Sequence, residues 1–416
     1  MYDLYMASKL LNLLSQLPIV LFFSITTFAT NVTTLLRSGL IAIFAFILIS
    51  IKPINLKKYK FETTLFSIIT ICFTISFILN DQNYSNFLIG TYGRNMGILA
   101  LIGLFILTLG SAEYFSSLSK KLISSLYILL LLSIIYGFVQ ALNIDPINWE
   151  KGAGLGATIG NPNFYGALLG VLSIIPLFYF IESRDSYKYL HLVAYLLVFI
   201  LTFIIGGSQG YIVFISSLLL FSLIRYKDVI SRKFRLVLFF LFALITSFIF
   251  ILFSNVMNIT TTIDDSLQFK HRLEHWALSA RIFRDHIFFG VGIENLTNFS
   301  GEYRNMAIRN WGIYTLPDKS HNLFIDFFVT GGLFVGICWI LFVFFVFYKA
   351  VYLIKNISRV KESWHTYIFV IVWTSWILQT IFSPSHLILE VCGMMSGGAL
   401  IGLANKAKIE NKVYAK

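Results

Sequence analysis

The chain has 416 residues, of which 57% are hydrophobic and only 12% are charged, and its formal net charge is +12. Soluble globular proteins carry about twice this fraction of charged residues, so the composition excludes an ordinary water-soluble fold. The basic residues stand in segments between apolar runs, where membrane topology explains them, and we expect no nucleic-acid partner.

Apolar runs recur along nearly the whole chain. They fall near residues 17–30, 38–52, 63–80, 97–111, 122–142, 164–181, 188–205, 211–224, 236–254, 322–348, 366–382 and 386–403. Because about 20 apolar residues are needed to cross the hydrocarbon core as a helix, these runs predict an all-α integral membrane protein with about twelve transmembrane helices. The spans form one polytopic membrane domain, residues 1–416, in contact with membrane lipid.

The basic residues also predict the orientation of the spans. If the N-terminus is cytoplasmic, most Lys and Arg residues of the short connecting segments face the cytoplasm, and the short external segments hold only Arg37, Arg94 and Lys151. The positive-inside rule favours this arrangement, with both termini in the cytoplasm and a basic cytoplasmic tail at residues 404–416. A large, partly helical loop at residues 255–320 then lies outside, between the ninth and tenth spans, and long loops translocate largely regardless of charge.

Two short external segments contain groups that can bind a ligand. Arg94, within residues 90–97, is either an interface residue or part of an anion site. The glycine-rich residues 152–166 lack the Gly-Lys-Ser/Thr of a phosphate-binding loop, and they favour a tight turn into a helix. Asn161 or Asn163 would cap that helix, and the glycines would allow a neighbour or a substrate to approach closely.

Arginines follow one another at helical spacing in the long external loop. Arg272, Trp276 and the region of Arg281 to Arg284 can share a face of a helix that lies against the membrane surface. The planar guanidinium suits bidentate contact with phosphate, so this face predicts a site for a polyprenyl diphosphate in the outer leaflet. The alternative is an interfacial helix whose arginines touch ordinary lipid headgroups and whose Trp276 is an anchor.

His321 stands at the end of the loop, immediately before the tenth apolar run. A neutral imidazole there can accept a proton from a hydroxyl group. The positive end of the following helix disfavours protonation, whereas Asp318 or a bound phosphate would favour it. The alternative is a structural histidine that caps the helix or hydrogen-bonds nearby backbone.

The external segments, taken together and in order, resemble the O-antigen ligase and O-antigen polymerase superfamily of bacterial membrane glycosyltransferases. The resemblance covers roughly residues 90–340. It rests on Gly93-Arg94 before a span, Thr158-Ile-Gly-Asn-Pro-Asn163, Ser208-Gln209-Gly210, Arg272-x-x-x-Trp276, Gly290-Val-Gly292 and Ser320-His321-Asn322.

The resemblance implies a glycosyltransferase that needs neither metal nor cofactor. Such an enzyme transfers a glycan from undecaprenyl diphosphate to a hydroxyl acceptor such as lipid A-core, at the periplasmic face of the bacterial inner membrane. His321 matches the histidine that activates the acceptor, and Arg272 matches an arginine that holds the diphosphate. Direct displacement at the sugar would invert the anomeric configuration.

The chain departs from the family pattern at one position. Many members have Ser-Arg-Gly where this chain has Ser208-Gln209-Gly210. Gln209 can donate a hydrogen bond but carries no positive charge. The predicted diphosphate and substrate site therefore comprises Gln209 and Asn163 as neutral groups and Arg272, Arg94, Arg281 and Arg284 as cations.

Other functions remain open at this stage. A polymerase of the same superfamily would use a second glycan as its acceptor. A polysaccharide or lipid transporter would also have many spans, but no internal repeat is seen and acidic residues are nearly absent from the spans. A catalytically inactive scaffold is conceivable because of Gln209.

Overall fold

The computed structural model describes residues 11–12, 14–24, 32–51, 53–115, 119–147, 154–184, 186–226, 264–304, 317–356 and 363–414. All regular secondary structure in these residues is helical, which confirms the all-α prediction. The helices are α1 (Leu17–Phe23), α2 (Val32–Ile51), α3 (Lys60–Leu79), α4 (Tyr84–Leu88), α5 (Ile98–Gly110), α6 (Ser119–Ala141), α7 (Pro162–Leu172), α8 (Ile174–Glu182), α9 (Lys188–Ile205), α10 (Ser208–Arg225), α11 (Asp264–Asp285), α12 (Leu296–Arg304), α13 (Leu323–Lys355), α14 (Ser363–Thr380) and α15 (Leu387–Tyr414). A 3-10 turn at Ala157–Ile159 precedes α7.

Seven helices within the described residues are long and apolar enough to cross a membrane, so the protein is a multi-pass membrane protein. They are Thr34–Ile51, Lys60–Leu79, Ser119–Ala141, Pro162–Glu182, Lys188–Ile205, Leu323–Lys355 and Leu387–Ile409. Two shorter apolar helices, Ile98–Tyr114 and Gln209–Arg225, pack among them. The predicted run at residues 236–254 lies outside the described residues, and the count of about twelve spans stays a prediction.

Helix α15 lies inside the bundle, because every residue of its most apolar 18-residue stretch is buried. It packs against α14, α5 and α13, while α3 packs on the other side of α13. Small residues permit such close packing: a Cβ atom added at Gly397 would lie 2.6 Å from the Trp373 ring. This use of glycine is usual in membranes, where helix association depends on close van der Waals contact.

A similar close approach joins α7 to α10 and places the starts of these two helices side by side. A Cβ atom added at Gly166 would lie 3.1 Å from the Cα atom of Gly210. Asn161 caps α7 by accepting a hydrogen bond from the backbone N–H of Asn163 at 2.9 Å, which is one of the two predicted caps. Gln209, in the first turn of α10, is thereby brought next to the start of α7.

Arg37 does not occupy an external loop, where we had placed it from the sequence. It lies in α2 and is fully buried. Its Nε donates to the carbonyl of Leu21 at 3.0 Å, and its Nη2 donates to the carbonyl of Thr158 at 2.5 Å. The arginine thus ties the end of α1 to the turn that precedes α7, because a buried guanidinium must find acceptors.

The segment between α11 and α12 is attached to α13 through a break in that helix. Gly332 has φ of +77°, and the helical hydrogen-bond ladder is interrupted there. Val291 and Gly292 donate their backbone N–H groups to the carbonyls of Val329 and Thr330, at 3.0 and 2.8 Å. Leu333 in turn donates to the loop carbonyl of Ile287 at 2.7 Å, so both sides of the break are satisfied by the loop.

We predict that Gly332→Ala destabilises the protein, whereas Gly39→Ala does not. The left-handed conformation at Gly332 costs a residue with a Cβ atom about 1–3 kcal/mol, and that atom would collide with the backbone of Phe288. A Cβ atom at Gly39, in α2, would meet nothing within 4 Å. Thermal unfolding of the purified variants in detergent measures the difference, and equal midpoints would contradict the proposed role of the break.

Candidate functional site

A cleft of about 280 Å³ lies where the start of α7, the start of α10, the middle of α11 and the start of α13 meet. It gathers residues that are far apart in the sequence. Its lining residues are Arg94, Asn161, Asn163, Phe164, Gln209, Arg272, His275, His321, Ser383 and Pro384. Five of them, Arg94, Asn163, Gln209, Arg272 and His321, were predicted as site residues from the sequence.

His321 is held in a strained backbone conformation just before α13. Its φ is +53°, in the left-handed region that costs a residue other than glycine about 1–3 kcal/mol and that recurs at functional sites. The next residue, Asn322, caps α13 by accepting hydrogen bonds from the backbone of Phe324 and Ile325 at 2.9 and 3.1 Å. Asp326 reaches back and accepts from the backbone N–H of Ser320 at 2.6 Å. His321 therefore stands between two anchored residues.

Arg94 forms an ion pair with Asp318 at the edge of the cleft. The Nε atom of Arg94 lies 2.6 Å from Oδ2 of Asp318, and its guanidinium carbon lies 5.8 Å from the centre of the Phe164 ring. Burial disfavours the charge of the Asp318 carboxyl, but Arg94 outweighs this and holds the pKa of Asp318 below its usual range. Both members of the pair therefore stay charged, and Arg94 is fixed beside the segment that carries His321.

Helix α11 brings Arg272 to the cleft. Leu278 and Ile282 pack in a small separate core against Val291 and other loop residues. The hydroxyl of Ser279 hydrogen-bonds that of Ser320 at 2.8 Å, directly next to His321. Burial lowers the pKa of Arg272, although guanidinium groups remain protonated in proteins. A half-buried permanent cation thus faces the cleft.

His275 is a cleft residue that sequence reasoning did not select. It lies three residues after Arg272 on α11, on the same helix face, and this spacing was the signal that could have identified it. The centres of the His275 and His321 rings are 5.0 Å apart, with the planes tilted by 40°. The cleft therefore contains two imidazoles in direct proximity.

The surroundings of His321 keep its imidazole neutral. Burial is the main cause, and it lowers the pKa of His321 to about 3. His275 and the two arginines of the cleft act in the same direction, whereas Asp318 opposes them. Near neutral pH the ring is unprotonated and can accept a proton.

Gln209 presents a buried donor to the cleft. Only 4% of the residue is exposed, and its side-chain Nε2 has no hydrogen-bond partner among the described residues. Burying such a donor without a partner costs about 1–3 kcal/mol, so the arrangement favours a ligand that offers an oxygen acceptor. This observation supports the predicted substrate contact of Gln209 on physical grounds.

Arg281 and Arg284 do not line the cleft, although both belong to α11. They follow Arg272 by nine and twelve residues, which separates them by about 14 and 18 Å along a helix axis. The side chain of Arg284 is 75% exposed, and its Nε atom lies 3.1 Å from Asp285. Their predicted contact with a diphosphate therefore receives no support from the geometry of the cleft.

No metal site is evident in the part of the chain that has been described. There, no three His, Cys, Asp or Glu residues are arranged so that they could hold a metal ion. The groups that the cleft offers to a ligand are guanidinium, amide and imidazole groups. Such groups are suited to binding oxyanions and to moving protons.

Residues 193–340 match the model of a protein family described as O-antigen ligase. The match begins in α9 and ends in α13, and it contains Gln209, Arg272 and His321. Arg94 and Asn163 lie outside it, so the remainder of the chain contributes to the same cleft. No curated protein matches the chain. The resemblance seen in the sequence motifs is thereby confirmed for residues 193–340: the protein is a multi-pass membrane protein in which these residues match the O-antigen ligase family model.

Proposed function

We propose that the protein is a membrane glycosyltransferase of the O-antigen ligase type. It transfers a glycan from undecaprenyl diphosphate to a hydroxyl acceptor such as lipid A-core. The observation that carries the proposal is the cleft itself, in which neutral His321 stands among Arg94, Arg272 and the unpaired donor of Gln209. A proton acceptor next to an oxyanion site is what this transfer requires.

The diphosphate of the donor binds against Arg272, with Arg94 and Gln209 as further donors. Guanidinium groups make short, charge-assisted hydrogen bonds to phosphate oxygens. As the bond from the anomeric carbon to the diphosphate breaks, negative charge grows on the leaving oxygen. The arginines stabilise that charge, and no carboxylate is among the residues that line the cleft.

His321 accepts the proton of the acceptor hydroxyl. The acceptor oxygen forms a bond to the anomeric carbon, while the diphosphate leaves with the electron pair of the broken bond. The proton remains on the imidazole and is later released to water. Because the attack is a single displacement from the face opposite the leaving group, the product has the inverted anomeric configuration.

The reaction takes place at the periplasmic face of the inner membrane. The positive-inside rule assigns several cleft-lining segments to the non-cytoplasmic side of the membrane. They include residues 90–97, 206–210 and 255–320. Both termini are then cytoplasmic. The matched family includes both ligases and polymerases, and a polymerase would use a second glycan as its acceptor.

We predict that His321→Ala lowers glycan transfer about 100- to 10,000-fold, the usual contribution of a positioned general base. The assay uses purified protein, an undecaprenyl-diphosphate-linked glycan, and either lipid A-core or a second glycan as acceptor. His286→Ala, in the same loop but outside the cleft, is the matched control. Full activity of His321→Ala would remove the base assignment, and extension of the glycan instead of ligation would identify a polymerase.

Arg272→Lys tests the phosphate contact, because lysine keeps the charge but lacks the planar fork. We expect kcat/KM for the donor to fall about 10- to 100-fold, which corresponds to one lost charge-assisted hydrogen bond of about 1.5–3 kcal/mol. Arg284→Lys, at an exposed position on the same helix, should have little effect. Equal losses in the two variants would indicate that Arg272 has no specific role.

The pH dependence of the reaction follows from the lowered pKa of His321. The imidazole keeps its neutral, proton-accepting form as the pH falls through 6.5, the ordinary value for histidine. The acid limb of kcat/KM for the donor, measured at a subsaturating concentration of acceptor so that it reports on the free enzyme, should therefore lie well below 6.5. Return of full activity after brief exposure to low pH would control for unfolding, and an acid limb at 6.5 would contradict the assignment.

A further inference from the structure

Glu294 is a buried acidic residue in the turn between α11 and α12. Its side chain is fully buried, with 0% exposure, and its φ of +56° is in the left-handed region. The turn is anchored on both sides, since Gly292 donates to the carbonyl of Thr330 in α13 and Gln82 donates through its side chain to the carbonyl of Ile293. The carboxylate is thus presented from a fixed backbone.

One carboxylate oxygen of Glu294 holds the segment that carries Arg94. Its Oε2 atom accepts hydrogen bonds from the backbone N–H of Thr91 at 2.8 Å and from the Thr91 hydroxyl at 2.9 Å. The carbonyl of Thr91 accepts in turn from the backbone N–H of Arg94 at 3.1 Å. Glu294 therefore fixes the turn from which the Arg94 side chain extends.

The other oxygen holds the segment that carries His321. Oε1 of Glu294 lies 2.7 Å from Nζ of Lys319, and the lysine side chain is only 7% exposed. Burial opposes the charge of Lys319, but Glu294 and other nearby carboxylates outweigh it and raise the pKa of the lysine. Lys319 precedes His321 by two residues, so the ion pair acts on the backbone next to the imidazole.

These contacts close into a ring. Glu294 binds Thr91, the turn of Thr91 carries Arg94, Arg94 pairs with Asp318, and the neighbouring Lys319 returns to Glu294. The ring contains Arg94, which lines the cleft, and its member Lys319 lies two residues before His321, which also lines the cleft. Glu294 itself is not among the residues that line the cleft. Removing the buried carboxylate is costly, because it leaves the buried Lys319 without the carboxylate that it contacts.

We propose that Glu294 is a positioning residue, which sets the relative placement of Arg94 and His321 in the cleft. The expected effect on the rate rests on the proposed function, in which Arg94 binds the diphosphate and His321 accepts the proton of the acceptor. Misplacement of reacting groups by about 1 Å can cost about 100-fold in rate. A purely structural ion pair would instead lower stability and leave the rate of the folded protein unchanged.

Glu294→Gln is the first variant, because it keeps the shape and removes the charge. We expect kcat of the folded protein to fall about 10- to 100-fold, with little change in KM for the acceptor. Glu302→Gln, at an exposed position on α12, is the matched control and should retain wild-type kinetics. A kcat of Glu294→Gln within twofold of wild type, at a temperature where both are folded, would overturn the proposal.

A second pair of variants keeps the proposal testable if Glu294→Gln does not fold. Thr91→Val removes only the hydroxyl contact to Glu294 and leaves the backbone contact, whereas Thr91→Ser preserves both. We expect Thr91→Val to lose kcat severalfold and Thr91→Ser to keep it. Equal kinetics in the two variants would count against positioning through Thr91.

A measurement without turnover separates this inference from the proposed function. The rate at which phenylglyoxal modifies Arg94, followed by peptide mass spectrometry, reports on how firmly that side chain is held. We expect severalfold faster modification in Glu294→Gln than in Glu302→Gln or wild type. An unchanged modification rate in Glu294→Gln would reject the positioning role. If modification is faster in Glu294→Gln but the wild-type protein transfers no glycan, only the proposed function is rejected.

Discussion

Backbone N–H and C=O groups inside an apolar helical bundle must find partners, because no water is available to replace a lost one. The break at Gly332 in α13 releases two carbonyl groups from the helical ladder and leaves one N–H without its usual acceptor. The loop from α11 to α12 supplies all three partners. The cleft exists because this exchange fastens α11, and with it Arg272, to the helix that begins beside His321.

The attachment of the segment between α11 and α12 to α13 also brings together the charged residues around the cleft. Two buried or half-buried ion pairs, Lys319 with Glu294 and Arg94 with Asp318, compensate the charges of the segment before α13. No acidic residue is among the described residues that line the cleft, and among them an incoming anion meets cations and neutral groups. The same surplus of positive charge assists burial in keeping His321 unprotonated.

The sequence predicts those features that depend on local hydrophobic pattern and on the order of motifs along the chain. Helicity followed from the apolar runs, and the convergence of Arg94, Gln209 and His321 followed from placing their segments on one side of the membrane. Glu294 could not be selected, because its partner Thr91 is 203 positions away and the contact depends on how the loop docks. Arg281 does not line the cleft, because nine residues turn an α-helix by about 180° from Arg272 and advance it by about 14 Å. Its contact with a diphosphate stays a prediction.

Gln209 is a neutral hydrogen-bond donor in a cleft whose other donors include two arginines. Its buried amide nitrogen has no hydrogen-bond partner among the described residues, and an oxygen acceptor on a ligand would recover the cost of about 1–3 kcal/mol. An arginine at the same position would supply donors but add a third cation near His321, and would disfavour the imidazolium that forms when the base accepts its proton. The amide supplies the donor without that penalty, which leaves the charge of a bound diphosphate to Arg94 and Arg272.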